Sequence, residues 1–164
     1  EDLKGMKIRV MKSITSVEMV RALGGSATPI PFGELYTSLQ QGVVDGAENN
    51  IPSFYLSRHY EVCRFLSLDE HTSIPDILLM STVVWNRLSA EEQQWLQSAV
   101  DDSVTYQKKI WKESTEESLA AVREAGVQVL YPDKEPFFEA VQAMHDSYRG
   151  TPLYDLMEEI KNIQ

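Results

Sequence analysis

Three side chains in the first fifty residues of this 164-residue chain have the chemistry to hold a small carboxylate. Arg9 offers a planar guanidinium whose parallel N–H donors match the two oxygens of a carboxylate. Phe32 offers an apolar ring, and Asn49 offers an amide that both donates and accepts hydrogen bonds. Together they suit a planar carboxylate attached to a polar body.

A β-α-β-α-β pattern in the same region predicts that these side chains meet. Short apolar runs at 7–11, at 27–31 and from 43 onward alternate with two helix-like runs, which is typical of a parallel sheet. Arg9, Phe32 and Asn49 each lie where a predicted strand gives way to a loop. Because ligands of open α/β sheets bind outside the carboxyl ends of the strands, we expect the three at one edge.

Capping signals predict the limits of the helices. Thr15, with Glu18 three residues later, predicts a capping box for the first helix. A second helix is predicted at 33–41. Ser89, with Glu92, starts a long helix that is predicted to run to Ala125.

Two segments of the chain resemble the solute-binding proteins of TRAP transporters, which are tripartite, ion-driven periplasmic uptake systems for organic acids. They are Asp-Leu-Lys-Gly-Met-Lys-Ile-Arg-Val at 2–10 and the stretch 29–49, from Pro-Ile-Pro-Phe-Gly-Glu to Val-Val-Asp-Gly-Ala-Glu-Asn. Order and spacing both match, and the similarity continues to the end of the chain. The resemblance implies an α/β fold: a periplasmic binding protein-like lobe with a β-α-β-α-β core, and a long helix that bridges two lobes.

The resemblance also implies roles for single residues. It assigns the carboxylate salt bridge to Arg9, a ligand contact to Asn49 and the lining of the pocket to Phe32. Ser13 joins them as a loop residue facing the ligand, because the preceding loop departs from the usual proline of the family. His71, in a polar loop after a predicted strand, is expected to border the pocket.

The length of the chain implies an incomplete pocket. Family members carry about as many residues again before the matched segment, so the resemblance identifies this chain as the C-terminal half. Residues 1–74 and 115–164 are then the ligand-binding lobe, and 75–114 are a crossover strand and helix that belong with the N-terminal lobe. The predicted strand at 76–80 lacks neighbours here, which favours self-association of the isolated chain.

Composition and spacing exclude several other functions. The net charge of −10 argues against a nucleic-acid surface, which would be basic. The three histidines have no metal-ligand spacing, so neither metal nor cofactor is expected. His59 and His145 are interpreted as helix-surface residues. The single Cys63 is interpreted as a small core residue.

The leading hypothesis is therefore the solute-binding component of a TRAP transporter. It would capture a sugar acid or dicarboxylate in the periplasm through an arginine–carboxylate salt bridge and deliver it to the membrane permease. Lys12, Ser13 and Asn50 add polar groups near the arginine and favour a sugar acid. The alternatives are an enzyme acting on a carboxylate substrate, for which no nucleophile or phosphate-loop motif is present, and a sensor module of the same fold.

Overall fold

The chain, described over residues 2–163 by a computed structural model, builds two separate parallel sheets. The first has three strands in the order β2-β1-β3, with β1 at Lys7–Val10, β2 at Ser26–Pro29 and β3 at Gly46–Ala47. The second pairs β4 at Phe65–Ser67 with β5 at Gln128–Leu130. The predicted β-α-β-α-β unit is thus confirmed as the first sheet with its connections.

Helices connect the strands and follow them. The α-helices are α1 Ile14–Ala22, α2 Leu35–Gln40, α3 Ile51–Leu56, α4 Thr82–Trp85, α5 Ala90–Glu124, α6 Glu135–Asp146 and α7 Pro152–Lys161. Two 3-10 turns lie at Phe32–Glu34 and His59–Glu61. The helix predicted at 33–41 is therefore a 3-10 turn followed by α2. Within residues 2–163, no helix combines the length and the apolar character that a membrane crossing requires.

The central strand β1 carries the core on one face and Arg9 on the other. Ile8 and Val10 pack with Met19 and Val20 of α1 in a buried apolar cluster. Side chains alternate along a strand, so Arg9 points to the opposite face. In the register of the sheet, Arg9 lies beside Thr28 on β2 and beside the end of β3.

A second apolar cluster joins α3 to the C-terminal part of α5. Phe54, Val122 and Val127 are its buried members. Cys63 packs against them, half-buried as predicted for a small core residue, and burial raises the pKa of its thiol. This cluster supports the second sheet, because Leu66 of β4 packs against it and its member Val127 directly precedes β5.

The predicted capping box at Thr15 and Glu18 is wrong. Ser13 is the N-cap of α1: its backbone is extended, and its Oγ accepts a hydrogen bond from the Ser16 amide at 3.4 Å. The helix therefore begins before Thr15, and the Glu18 carboxylate accepts instead from the hydroxyl of Tyr148 at 2.9 Å. The capping box that starts α5 is confirmed.

The strand predicted at 76–80 does not form. Within residues 2–163 no neighbouring strand supplies hydrogen bonds to it, and its apolar side chains Ile77, Leu78 and Leu79 are 71%, 74% and 83% exposed. Trp95 on the N-terminal half of α5 is also largely exposed. Large exposed apolar side chains that lie close together, such as Ile77, Leu78 and Leu79, are typical of interaction sites.

Leu35 at the start of α2 tests the contribution of a buried apolar side chain to stability. It is fully buried, and we expect Leu35→Ala to lower the free energy of unfolding by about 2–5 kcal/mol, because the cavity adds to the lost transfer energy. Leu156→Ala is the matched control, since that side chain is half exposed on α7 and its loss should cost about 1 kcal/mol. Equal losses in urea unfolding would contradict the burial of Leu35.

Candidate functional site

Arg9 is a buried cation at the edge of the first sheet. Its side chain is 3% exposed, and its Nε donates a hydrogen bond to the Ile30 carbonyl at 2.8 Å. Ile30 directly follows β2, so the loop after one strand fixes the arginine of the next strand. This single bond leaves the two terminal nitrogens of the guanidinium free of any hydrogen bond to residues 2–163.

No carboxylate of residues 2–163 forms an ion pair with Arg9. Burial lowers the pKa of the guanidinium, and the negative charge of Glu48 opposes that shift. Arginine nevertheless stays charged in proteins. A buried charge is costly unless it is paired, so the site is electrostatically poised for an anion.

Two aromatic rings, those of Phe32 and His59, extend from Arg9 into the protein. The guanidinium carbon lies over the Phe32 ring, 5.8 Å from its centroid. The His59 ring meets Phe32 edge to face, with centroids 5.6 Å apart and an interplanar angle of 73°. The prediction that His59 is a helix-surface residue is wrong: it is 3% exposed, because the turn that follows α3 directs it inward.

Asn49 and Asn50 follow β3 and have different roles. The backbone amide of Glu48 bonds to the Arg9 carbonyl at 3.4 Å, so the end of β3 lies next to Arg9. Asn49 Oδ1 accepts from the Asn50 amide at 2.9 Å, whereas its Nδ2 is buried without a partner among residues 2–163. Asn50 caps α3 by accepting from the Ser53 amide at 2.8 Å, so its side-chain oxygen serves the fold.

Asp69, His71 and Glu48 form a row of ionisable side chains, and Glu48 is the member near Arg9. Asp69 accepts a hydrogen bond from Nδ1 of His71 at 2.7 Å, which fixes the tautomer and raises the pKa of the imidazole. His71 Nε2 is buried and lies 4.0 Å from Glu48 Oε2. Burial raises the pKa of Glu48, while the charges of His71 and then Arg9 act in the opposite direction. Glu48 therefore lies between His71 and the arginine site.

Ser13 and His71 also line a cavity of about 690 Å³ between α1, α6 and the loop 69–74. Arg9, Phe32 and Asn49 do not line it, so the predicted site residues fall into two neighbouring groups. The Oγ of Ser13 is already used as a helix cap. His145 of α6 lines the same cavity and is half-buried.

The arrangement suits binding of a carboxylate. It offers two free guanidinium nitrogens and one unpaired amide donor at the end of a parallel sheet, where ligands of α/β proteins bind. Sequence reasoning missed His59. Its burial depends on the left-handed backbone of Arg58 before it, a conformation that the residue type does not indicate.

Comparison with known proteins decides the family. Residues 1–151 match the family model described as bacterial extracellular solute-binding protein, family 7. The chain belongs to this family. It is the family of TRAP solute-binding proteins, so the resemblance read from the sequence is confirmed.

Two solved structures of this family are similar over 99% of the chain. One is a TRAP periplasmic solute-binding protein from Xanthobacter autotrophicus Py2 with bound β-D-galacturonate, at 42% identity and a TM-score of 0.91. The other, from Chromohalobacter salexigens DSM 3043 with bound D-glucuronate, has 37% identity and a TM-score of 0.94. The chain covers 55% of each structure. The predicted α/β lobe fold is confirmed.

A curated relative extends the comparison. The sialic acid-binding periplasmic protein of Vibrio cholerae is 33% identical over 156 residues, which are 93% of this chain and 49% of the relative. The chain thus spans about half the length of the solute-binding proteins that it matches. These relatives are described as solute-binding proteins, which favours the binding hypothesis over the enzyme.

The Asp69–His71 pair predicts a pH dependence. A raised pKa in the folded state stabilises the protein fully below the unfolded value of about 6.5, and this stability is lost as pH rises through the folded pKa. We expect Asp69→Asn to lower the His71 titration midpoint, measured by NMR, and to flatten the fall in unfolding free energy above pH 6.5. Asp45→Asn is the control: its carboxylate accepts from the Lys7 amide and does not contribute to the His71 shift, so the midpoint should stay unchanged. An unshifted midpoint in Asp69→Asn would contradict the assigned hydrogen bond.

Proposed function

We propose that this chain carries the carboxylate-binding half of a periplasmic TRAP solute-binding protein whose ligand is a sugar acid of the hexuronate type. Arg9 holds the carboxylate through its two free terminal nitrogens, Asn49 donates a hydrogen bond to a neighbouring oxygen, and Phe32 packs on the carbon skeleton. The protein then presents the ligand to the membrane subunits of the transporter.

The observation that carries this proposal is the burial of Arg9 without an ion pair. Removing a guanidinium from water costs free energy that a carboxylate partner offsets through charge-assisted, bidentate hydrogen bonds. Each hydrogen bond to a charged group contributes roughly 1.5–3 kcal/mol. Arg9 lies near the carboxyl end of the central strand, which is the edge of the sheet where ligands bind, so a carboxylate bound there would be its partner.

Two neighbours of Arg9 support a ligand that also has a polar body. The buried Nδ2 of Asn49 needs an acceptor, and a carboxylate or ring oxygen supplies one. Phe32 is 46% exposed beside the guanidinium, so its ring has free area for a carbon skeleton. Together they match an anion with an attached ring rather than an inorganic ion.

Glu48 supports a monocarboxylate over a dicarboxylate. Its carboxyl group lies close enough to Arg9 for each to shift the pKa of the other. Hydroxyl groups of a sugar acid donate hydrogen bonds to such a carboxyl group, whereas a second ligand carboxylate meets repulsion from it. The galacturonate and glucuronate in the two similar structures are monocarboxylates with several hydroxyl groups.

We further propose that residues 75–114 pack against a second lobe. Residues 1–74 and 115–164 then form the lobe that holds Arg9. The support is the exposure of the large apolar side chains between Ile77 and Trp95, together with the match to only about half of each relative. Closure of two lobes around the ligand would follow as a shift of population toward the closed state.

Substitution of Arg9 tests the ligand class in the full-length protein. We expect D-glucuronate or D-galacturonate to raise the melting temperature, and Arg9→Ala to weaken their binding at least about tenfold because the charge-assisted bonds are lost. Arg9→Lys keeps the positive charge but loses the paired N–H donors of the guanidinium, so its affinity should lie between those of the wild type and Arg9→Ala. Arg149→Ala, a side chain 66% exposed on the surface, is the control for loss of a positive charge.

D-Glucarate, the six-carbon diacid, is the matched ligand control, and calorimetry should show weaker binding than for D-glucuronate. Unchanged affinity in Arg9→Ala would overturn the carboxylate role of Arg9. Preference for the diacid would overturn the assignment to hexuronates.

The isolated 164-residue chain tests the second-lobe proposal. We expect it to self-associate and to bind a fluorescent apolar dye, because the surface around Leu78 and Trp95 is uncovered. Leu78→Glu with Trp95→Glu should reduce association, measured by light scattering after gel filtration. Leu56→Glu, at a side chain 71% exposed on α3, is the control and should not. A monomeric isolated chain that binds D-glucuronate as tightly as the full-length protein would contradict the proposal.

A further inference from the structure

We propose that His59 is a positioning residue for the carboxylate site: its ring holds Phe32, and Phe32 holds the guanidinium of Arg9 in its binding orientation. This inference rests on the proposed role of Arg9. It assigns His59 no contact with the ligand.

Phe32 needs a neighbour to fix its ring. It lies in a short 3-10 turn after β2, is 46% exposed, and belongs to neither apolar cluster among residues 2–163. Its defined aromatic and cationic contacts are the edge-to-face pair with His59 and the guanidinium of Arg9 over its ring. A π face attracts both the edge of another ring and a cation, so the three groups stabilise one another.

His59 is itself held firmly from outside the site. Arg58 adopts a left-handed backbone (φ 59°) that turns the chain after α3, and the His59 carbonyl accepts from the amides of Val62 and Cys63 at 3.1 and 3.0 Å. Tyr36 of α2 donates to the carboxylate of Glu61 in the same turn at 3.0 Å. Hydrogen bonds therefore hold the turn that carries the buried His59 ring, whereas Phe32 lies half-exposed in its own short turn.

The charge state of His59 fits this role. Burial, and then the positive charge of Arg9, lower the pKa of the imidazole, so the ring is neutral at neutral pH. A neutral ring supports Phe32 without adding a second buried positive charge.

A double-mutant cycle in the full-length protein tests the inference, with calorimetric dissociation constants for D-glucuronate as readout. We expect His59→Leu to weaken binding about three- to tenfold, the range of an aromatic pair. His59→Phe, which keeps an aromatic edge, should restore affinity to within about twofold of the wild type. In a Phe32→Ala background, His59→Leu should have no further effect, because the group through which His59 acts is gone.

Val127→Ala, in the second apolar cluster, separates positioning from stability: it should lower the melting temperature and leave the affinity unchanged. His59→Gln replaces His59→Leu in the cycle if the leucine variant does not fold. Equal factors in both backgrounds, unchanged affinity in His59→Leu, or a failure of His59→Phe to restore affinity would each overturn the inference. Unchanged affinity in Arg9→Ala would instead overturn the proposed function, so the two failures are distinguishable.

Discussion

The free guanidinium of Arg9 is the constraint on which the rest of the site depends. A buried cation without a carboxylate partner is costly, and the protein compensates only in part, through the Ile30 carbonyl and the ring of Phe32. Both supports come from the loop after β2. The fold thus holds the cation in place and leaves its two terminal nitrogens without a hydrogen bond to residues 2–163.

The groups around Arg9 divide into a neutral and an ionisable side. On one side, His59 and Phe32 form an aromatic support in which burial favours the neutral imidazole. On the other, Asp69 favours the protonated form of His71, which faces Glu48. The neutral imidazole adds no second positive charge beside Arg9, whereas the ionisable side places the carboxyl group of Glu48 near the guanidinium.

The exposed apolar surface of residues 75–114 has a different physical origin. In the C-terminal half of α5, Leu119 and Val122 pack with Phe54 of α3 and Leu66 of β4, and Val122 is fully buried. In the N-terminal half of α5, Trp95 has no such cover among residues 2–163. One helix thereby connects a packed region to an uncovered one, which suits an element shared between two lobes.

Local pattern in the sequence determined the three strands of the first sheet, the family and the position of Arg9, Phe32 and Asn49 at one sheet edge, because strand ends follow from apolar runs and parallel topology. The capping box of α5 was also predictable, since it depends on residues three apart. The cap of α1 was not, because Ser13 and Thr15 are both suitable and backbone geometry chose between them. Only the tertiary structure buried His59, brought His71 within 4.0 Å of Glu48 and left the strand at 76–80 unformed. Those features depend on contacts between distant segments, which no local pattern encodes.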